Sequence, residues 1–217
     1  MTKLLKMLNV NREGNRKLKN TDKVRFLIWN LPAIKTCPYR TALCERSCYA
    51  RKAERLYPQV LPAREANYIE SLSDDFVANM IYTIEKIISG RAYQGKKIIF
   101  RIHESGDFYS QEYVDKWIEI IKHFENVDNL VFHAYTKSLP YFEKHDVKSF
   151  KNLAFIASVW ADTSRENLDL IAKHNYRIYT AVDSFKNWTG NKCRCADCAH
   201  CQQCMNNRIE KIACEIH

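Results

Sequence analysis

The chain has 217 residues, 46% of them hydrophobic and 27% charged, with a formal net charge of +9. That suffices for one globular domain with its own core, and only five glycines and five prolines argue against a long disordered or collagen-like segment. With no run of 18 apolar residues, no membrane span is expected, and the apolar stretch near the N-terminus is too short for a secretory signal.

The expected compartment is therefore the cytoplasm, where thiols stay reduced. Nine cysteines in such a setting point to metal rather than to disulfides. The charge is uneven. Residues 1–67 carry 15 Lys/Arg against 5 Asp/Glu, and the remainder carries 19 against 20. The basic first third is either a solvated arm or a contact surface for nucleic acid or another polyanion.

Residues 1–24 read as a basic, weakly patterned lead-in. RFLIWNL, Arg25 to Leu31, reads as a buried strand ended by Pro32. A loop with Cys37, Cys44 and Cys48 follows. A long helix is predicted from about Ala63 to Ser89, stopped near Gly90. KIIFRIH, ending at His103, is a strand, and ESGDFYS a loop. Ser110 is placed to cap a helix reaching about Phe124. LVFHAY (Leu130–Tyr135) is a strand, followed by a TKS loop and a short helix. LAFIASVW (Leu153–Trp160) is the next strand. Thr163 and Glu166 form a T-x-x-E capping box for a helix to about Lys173. YRIYTAV (Tyr176–Val182) is a further strand.

Strands alternating with helices predict an α/β fold of parallel βα units: a core over 25–190 and a Cys-rich segment over 191–217. An open doubly wound sheet and a complete or partial barrel share this pattern. The absence of a G-x-G-x-x-G after the first strand weakens the dinucleotide-binding version. We take a partial or small (βα) barrel with a Cys-rich, metal-binding C-terminal extension as the expectation. In either topology, ligands lie at the carboxyl ends of the strands. The three-cysteine loop, Ser105-Gly106-Asp107 and Thr136-Lys137-Ser138 would then share one rim.

The spacing C-x6-C-x3-C places three thiols on one short loop. Three thiolates can hold three irons of a [4Fe-4S] cube and leave the fourth open to a small-molecule ligand. They can also supply part of a zinc site, although zinc usually pairs its cysteines at shorter spacing, twice. The second group is Cys193, Cys195, Cys198, Cys201 and Cys204. Its C-x2-C-x2-C run resembles ferredoxin spacing, and zinc can equally use four of the five. Cys214 reads as a packed thiol.

Around these groups stand residues with two readings each. Asp107 can bind a ligand amine or act as a base, or be a turn residue. His103 can point to the rim or sit hydrogen-bonded in the core. Lys137 can hold a carboxylate or phosphate, or lie at the surface. Tyr49 and Arg51 directly follow Cys48 and can line an open iron, or pack and be solvated. Asp162 can contact a ligand or serve the neighbouring helix cap.

The run TCPYRTALCERSCYARKAE, with IHESGDFYSQEYVDKW, YTKS, SVWADT and the terminal cysteines, resembles the gene product 88 family of phages and mobile elements. The likeness covers residues 30 to 205 and implies a bacterial host cell. A more distant resemblance is to radical S-adenosylmethionine (SAM) enzymes, which are partial βα barrels. That resemblance implies a [4Fe-4S] cluster on Cys37, Cys44 and Cys48, with SAM on the open iron. It further implies contacts to SAM from Ser105, Gly106 and Asp107, from Tyr135, Thr136 and Lys137, and from Ser158. The second cysteine group would hold an auxiliary cluster. The expectation is an iron–sulfur protein, radical-SAM-like or Lewis-acidic. The alternatives are a zinc-stabilised nucleic-acid-binding protein and a non-catalytic redox carrier or sensor.

Overall fold

A computed structural model describes residues 2–7, 17–193 and 197–216. The chain opens with strand β1 (Val24–Trp29) and two short helices, α1 (Ala42–Arg46) and α2 (Tyr49–Leu56). Helices α3 (Val60–Leu72) and α4 (Phe76–Ile88) follow. Then come β2 (Lys97–Ile102), α5 (Gln111–His123), β3 (Leu130–Thr136), β4 (Leu153–Val159), α6 (Arg165–His174) and β5 (Ile178–Val182). The C-terminal segment adds β6 (Asn191–Lys192), the single turn α7 (Cys198–Cys201) and β7 (Lys211–Glu215).

All seven strands join one parallel sheet in the order β1-β2-β3-β4-β5-β7-β6. The expected parallel βα units are therefore present. The sheet does not close into a full barrel among the described residues: the pairing has two ends, β1 and β6, and no ladder joins them. The Cys-rich segment is part of the sheet, since β7 inserts between β5 and β6.

Because side chains alternate along a strand, each face of the sheet has its own partner. Leu27 and Trp29, Ile98 and Phe100, Phe132 and Ala134, and Phe155 and Ala157 face the helices. They pack with Phe76, Met80 and Ile84 of α4 and Val114, Trp117 and Ile121 of α5 in the main core. On the opposite face, Phe26 and Ile99 pack with Leu18, Ala199, Cys198 and Met205. The C-terminal cysteine segment thus covers the sheet face that the helices leave open.

Several predicted elements shift. The long helix from Ala63 is two helices, because Ser73 is extended (ψ 146°) and accepts a bond from the Asp75 N–H through its hydroxyl. The break turns Phe76 into the core beside Trp29, Tyr113 and Trp117. Ser110 caps α5 as expected, accepting from Tyr113 N. The cap of α6 is Ser164, not Thr163: Ser164 accepts from Asn167 N, and the Thr163 hydroxyl instead accepts from Trp160 N. Among the described residues no helix is long and apolar enough to cross a membrane.

Candidate functional site

The first cysteine loop is built by two caps. Thr41 caps α1 by accepting from Cys44 N at 3.1 Å, and Cys48 caps α2, its Sγ accepting from Arg51 N at 3.5 Å. Capping sets both cysteines at helix N-termini. Asp162, beyond β4, accepts from Leu43 N at 2.8 Å and ties the loop across the rim.

The loop after β2 is locked against it. Asn30 Oδ1 accepts from the N–H groups of Glu104 and Ser105, and the Ser105 hydroxyl donates to Leu31 O. Gly106 sits at φ 82°, and a Cβ there would lie 2.6 Å from Thr36 Oγ1 and 2.7 Å from Leu31 Cβ. Only glycine permits that conformation and that approach. Asp107 then reaches the third rim loop. Its Oδ1 accepts from Thr136 Oγ1 at 2.6 Å and from Phe108 N at 2.8 Å, and its Oδ2 accepts from Lys137 N at 2.9 Å. Burial pushes its carboxyl up, against those three bonds and the Lys137 charge. Both carboxylate oxygens are engaged within the chain, which makes Asp107 the staple between the β2 and β3 loops.

Lys137 points along the same rim. Its Nζ donates to Ser158 Oγ at 3.1 Å, lies 5.7 Å from the Trp160 ring centre and reaches the Cys44 thiol. Burial pushes the Cys37 thiol up to about 12, the Asp107 charge adds to this, and Lys137 opposes it. Cys44 is raised mainly by burial, with Lys137 again opposing and Cys48 and Asp107 adding. The structure thus brings Cys37, Cys44, Cys48, Asp107, Lys137 and Ser158 together, with Ser105, Gly106 and Thr136 as the backbone of the rim. Tyr49 stands beside them, its ring exposed and its hydroxyl donating to Glu104 O at 2.5 Å.

Two candidates lie elsewhere. His103 has φ 60°, which breaks the strand alternation and turns its ring into the helix-side core. There Nε2 meets Tyr113 Oη at 2.9 Å and the ring packs on Phe108. Burial, then the Arg101 charge, lowers its pKa to about 3. Tyr135 points to the face opposite the helices, where its hydroxyl donates to Cys204 Sγ at 2.6 Å.

That opposite face forms the second group. Cys193, Cys198, Cys201 and Cys204 lie within one another's fields; burial, then Cys204, Cys193 and Cys201, pushes Cys198 up to about 11. Cys195 lies outside the described residues. Cys214 on β7 bonds with Tyr179 and feels Cys193. Two guanidiniums face this group, and sequence reading had not singled them out. Arg101 lies 4.0 Å over the Tyr135 ring, donates to His103 O and touches His133. Arg177 donates to Ile209 O and to Cys204 O, pinning the cysteine loop. Among the described residues neither forms an ion pair with a carboxylate. Their signal in the sequence is a polar residue at the wrong parity inside an apolar strand, as in Arg101 and His133. No three His, Cys, Asp or Glu side chains among the described residues are grouped so as to hold a metal ion. Two surface concavities, one by Glu85 and Asn129 and one by Asp74 and Lys116, contain no cysteine.

The fold and site define a parallel α/β protein with one cysteine group on its strand-end rim and another on its open sheet face. The model of the family described as gene product 88 matches residues 4–214, and the chain belongs to that family. It is similar to the Gene 88 protein of Mycobacterium phage D29, 33% identical over 106 residues, covering 47% of this chain and 42% of the phage protein. It is also similar to the Gene 88 protein of Mycobacterium phage L5, 33% identical over 106 residues, covering 47% of this chain and 43% of the relative. The chain therefore spans less than half the length of the curated relatives it matches. No solved structure matches it. These matches lend no support to the likeness with radical SAM enzymes.

Proposed function

We propose that this is a metal-cluster protein whose two cysteine groups each hold an iron–sulfur centre. Cys37, Cys44 and Cys48 would ligate the first. Four of Cys193, Cys195, Cys198, Cys201 and Cys204 would ligate the second. The observation that carries the reading is the pairing of half-buried thiols with cations. Arg101 and Arg177 are half-buried with no carboxylate partner among the described residues, and both lie in the field of the Cys204 thiol. A buried cation without a counter-charge is costly, and thiolates bound to metal supply that charge. The described thiols of each group stand near one another without converging, so binding takes a turn of the cysteine side chains toward a common centre.

With three protein thiolates, the first centre keeps a position for a small ligand, which is the chemistry such a cluster supplies. Lys137, Ser158 and Trp160 stand where that ligand would extend. The loop at Ser105-Gly106-Asp107 holds the rim together, and its polar atoms are already bonded within the chain. The second centre, closed by four thiolates beside Arg101 and Tyr135, is suited to electron transfer or to bracing β6 and β7.

The test is anaerobic purification with iron, sulfide and zinc measured per chain. About eight irons and eight sulfides are expected, falling to about four in Cys37→Ser/Cys44→Ser. A colourless protein holding zinc alone, unchanged after reconstitution with iron and sulfide, would overturn the reading.

A further inference from the structure

Helix α2 is eight residues long and starts at the last cysteine of the rim loop. At 100° per residue, Ala50, Ala53 and Glu54 share the inward side. Glu54 is spent there: its Oε1 accepts from Ala33 N and from Arg64. The outward arc holds Tyr49, Arg51, Lys52, Arg55 and Leu56, with Arg46 just before it and Tyr57 just after.

Every exposed charged residue from Arg46 to Ala63 is a cation. Arg51 has a long contact with Glu45 at 3.8 Å, whereas Arg46, Lys52 and Arg55 form no ion pair among the described residues. Between these cations the aromatic rings stand open. Tyr49 is 62% exposed and Tyr57 54%, with Leu56 at 60%. The other aromatic residues are buried or half-buried among the described residues, so two open tyrosines beside unpaired cations need a reason.

We propose that α2 and its flanks form a docking surface for single-stranded nucleic acid, laid across the entrance of the first cysteine group. Arg46, Lys52 and Arg55 would contact phosphates, and Tyr49 and Tyr57 would stack on bases. Cations along a strand path with aromatic platforms between them are the chemistry of single-strand binding. Duplex DNA offers its charge without open base faces, so it leaves the tyrosines unused. An anionic membrane would also meet cations and apolar side chains, but interfacial helices sink a broad apolar face into the lipid, and the outward arc of α2 offers Leu56 as its single aliphatic side chain. The inference does not depend on what the cysteines hold.

The experiment is fluorescence anisotropy of a labelled dT oligomer of about 16 nucleotides, titrated with the full chain at several salt concentrations. Log affinity should fall linearly with log salt. Arg46→Ala/Lys52→Ala/Arg55→Ala should reduce that slope by about 2, since each lost single-strand phosphate contact removes about 0.7. Tyr57→Ala should weaken binding about tenfold at every salt concentration. A control variant, Arg91→Ala/Lys122→Ala/Lys151→Ala, removes exposed cations on other surfaces and should leave the slope unchanged. A control slope that falls as far as that of the α2 variant, tighter binding to duplex than to single strand, or binding only to phosphatidylserine vesicles would each overturn the proposal. Thermal melts of all variants check that these exposed substitutions leave the fold intact.

Discussion

His103 shows how a single backbone angle reassigns a residue. On a regular strand it would continue toward the face that carries Arg101. Its φ of 60° sends the ring into the helix layer instead, where burial holds it neutral with a pKa near 3, against an ordinary 6.5. His133 is lowered in the same direction by burial and by Arg101 and Arg177. The unfolded chain takes up protons below about pH 6.5 that the folded chain refuses. Stability is therefore complete above that pH and is lost as pH falls toward the folded value. His103 alone should cost about 2 kcal/mol by about pH 5. His103→Asn keeps a residue that tolerates positive φ, so it should give a shallower decline of unfolding free energy between pH 6.5 and 5. Equal slopes for the two proteins in urea titrations would show that His103 is not the acid-sensitive group. The sequence left the rim and a hydrogen-bonded place in the core both open for this strand-end histidine, and the backbone angle, which no local pattern announces, selects the core.

At the scale of elements, caps and breaks decide where helices begin. A T-x-x-E pattern at Thr163 and Glu166 predicted one start for α6, yet the chain begins the helix one residue later. Thr163 is held by Trp160 N, which frees Ser164 to cap. Ser164→Ala should therefore lower stability by about 1 kcal/mol, and Ser164→Asp should keep it. Glu166→Ala should cost less than about 0.5 kcal/mol. Urea midpoints for the three variants settle the register. A large loss for Glu166→Ala with none for Ser164→Ala would restore the capping box. The break at Ser73 follows the same logic. The apolar spacing from Tyr68 through Ile84 runs across it without interruption, so periodicity alone joins α3 to α4. Local hydrogen bonding of a serine competes with the helix ladder, and the core's demand for Phe76 favours the break.

At the scale of the molecule, the C-terminal cysteine segment is a structural partner of the sheet. β7 pairs β5 over five residues, and Ala199 and Met205 pack with Phe26 and Ile99 of the opposite edge. A chain ending at residue 190 should lose its single cooperative melting transition, because it would bare the β5 edge and the apolar patch around Phe26. An unchanged melt in that truncation would make the segment an independent appendage, as the reading of residues 191–217 as an extension had it.

The sequence by itself determined the strands β1 to β5, their parallel pairing and the grouping of Cys37, Cys44 and Cys48 with the Asp107 and Lys137 loops. It could do so because alternating apolar strands and helices leave few topologies, and because parallel order puts the loops after each strand on one rim. The tertiary structure alone decided that the sheet stays open, that β7 enters between β5 and β6, and that Tyr135, Arg101 and Arg177 meet the second cysteine group. Those outcomes rest on contacts between residues far apart in the chain, such as Tyr135 with Cys204 and Ile178 with Lys211. Neither local propensity nor periodicity carries information about which distant partner closes a strand edge or balances a buried charge.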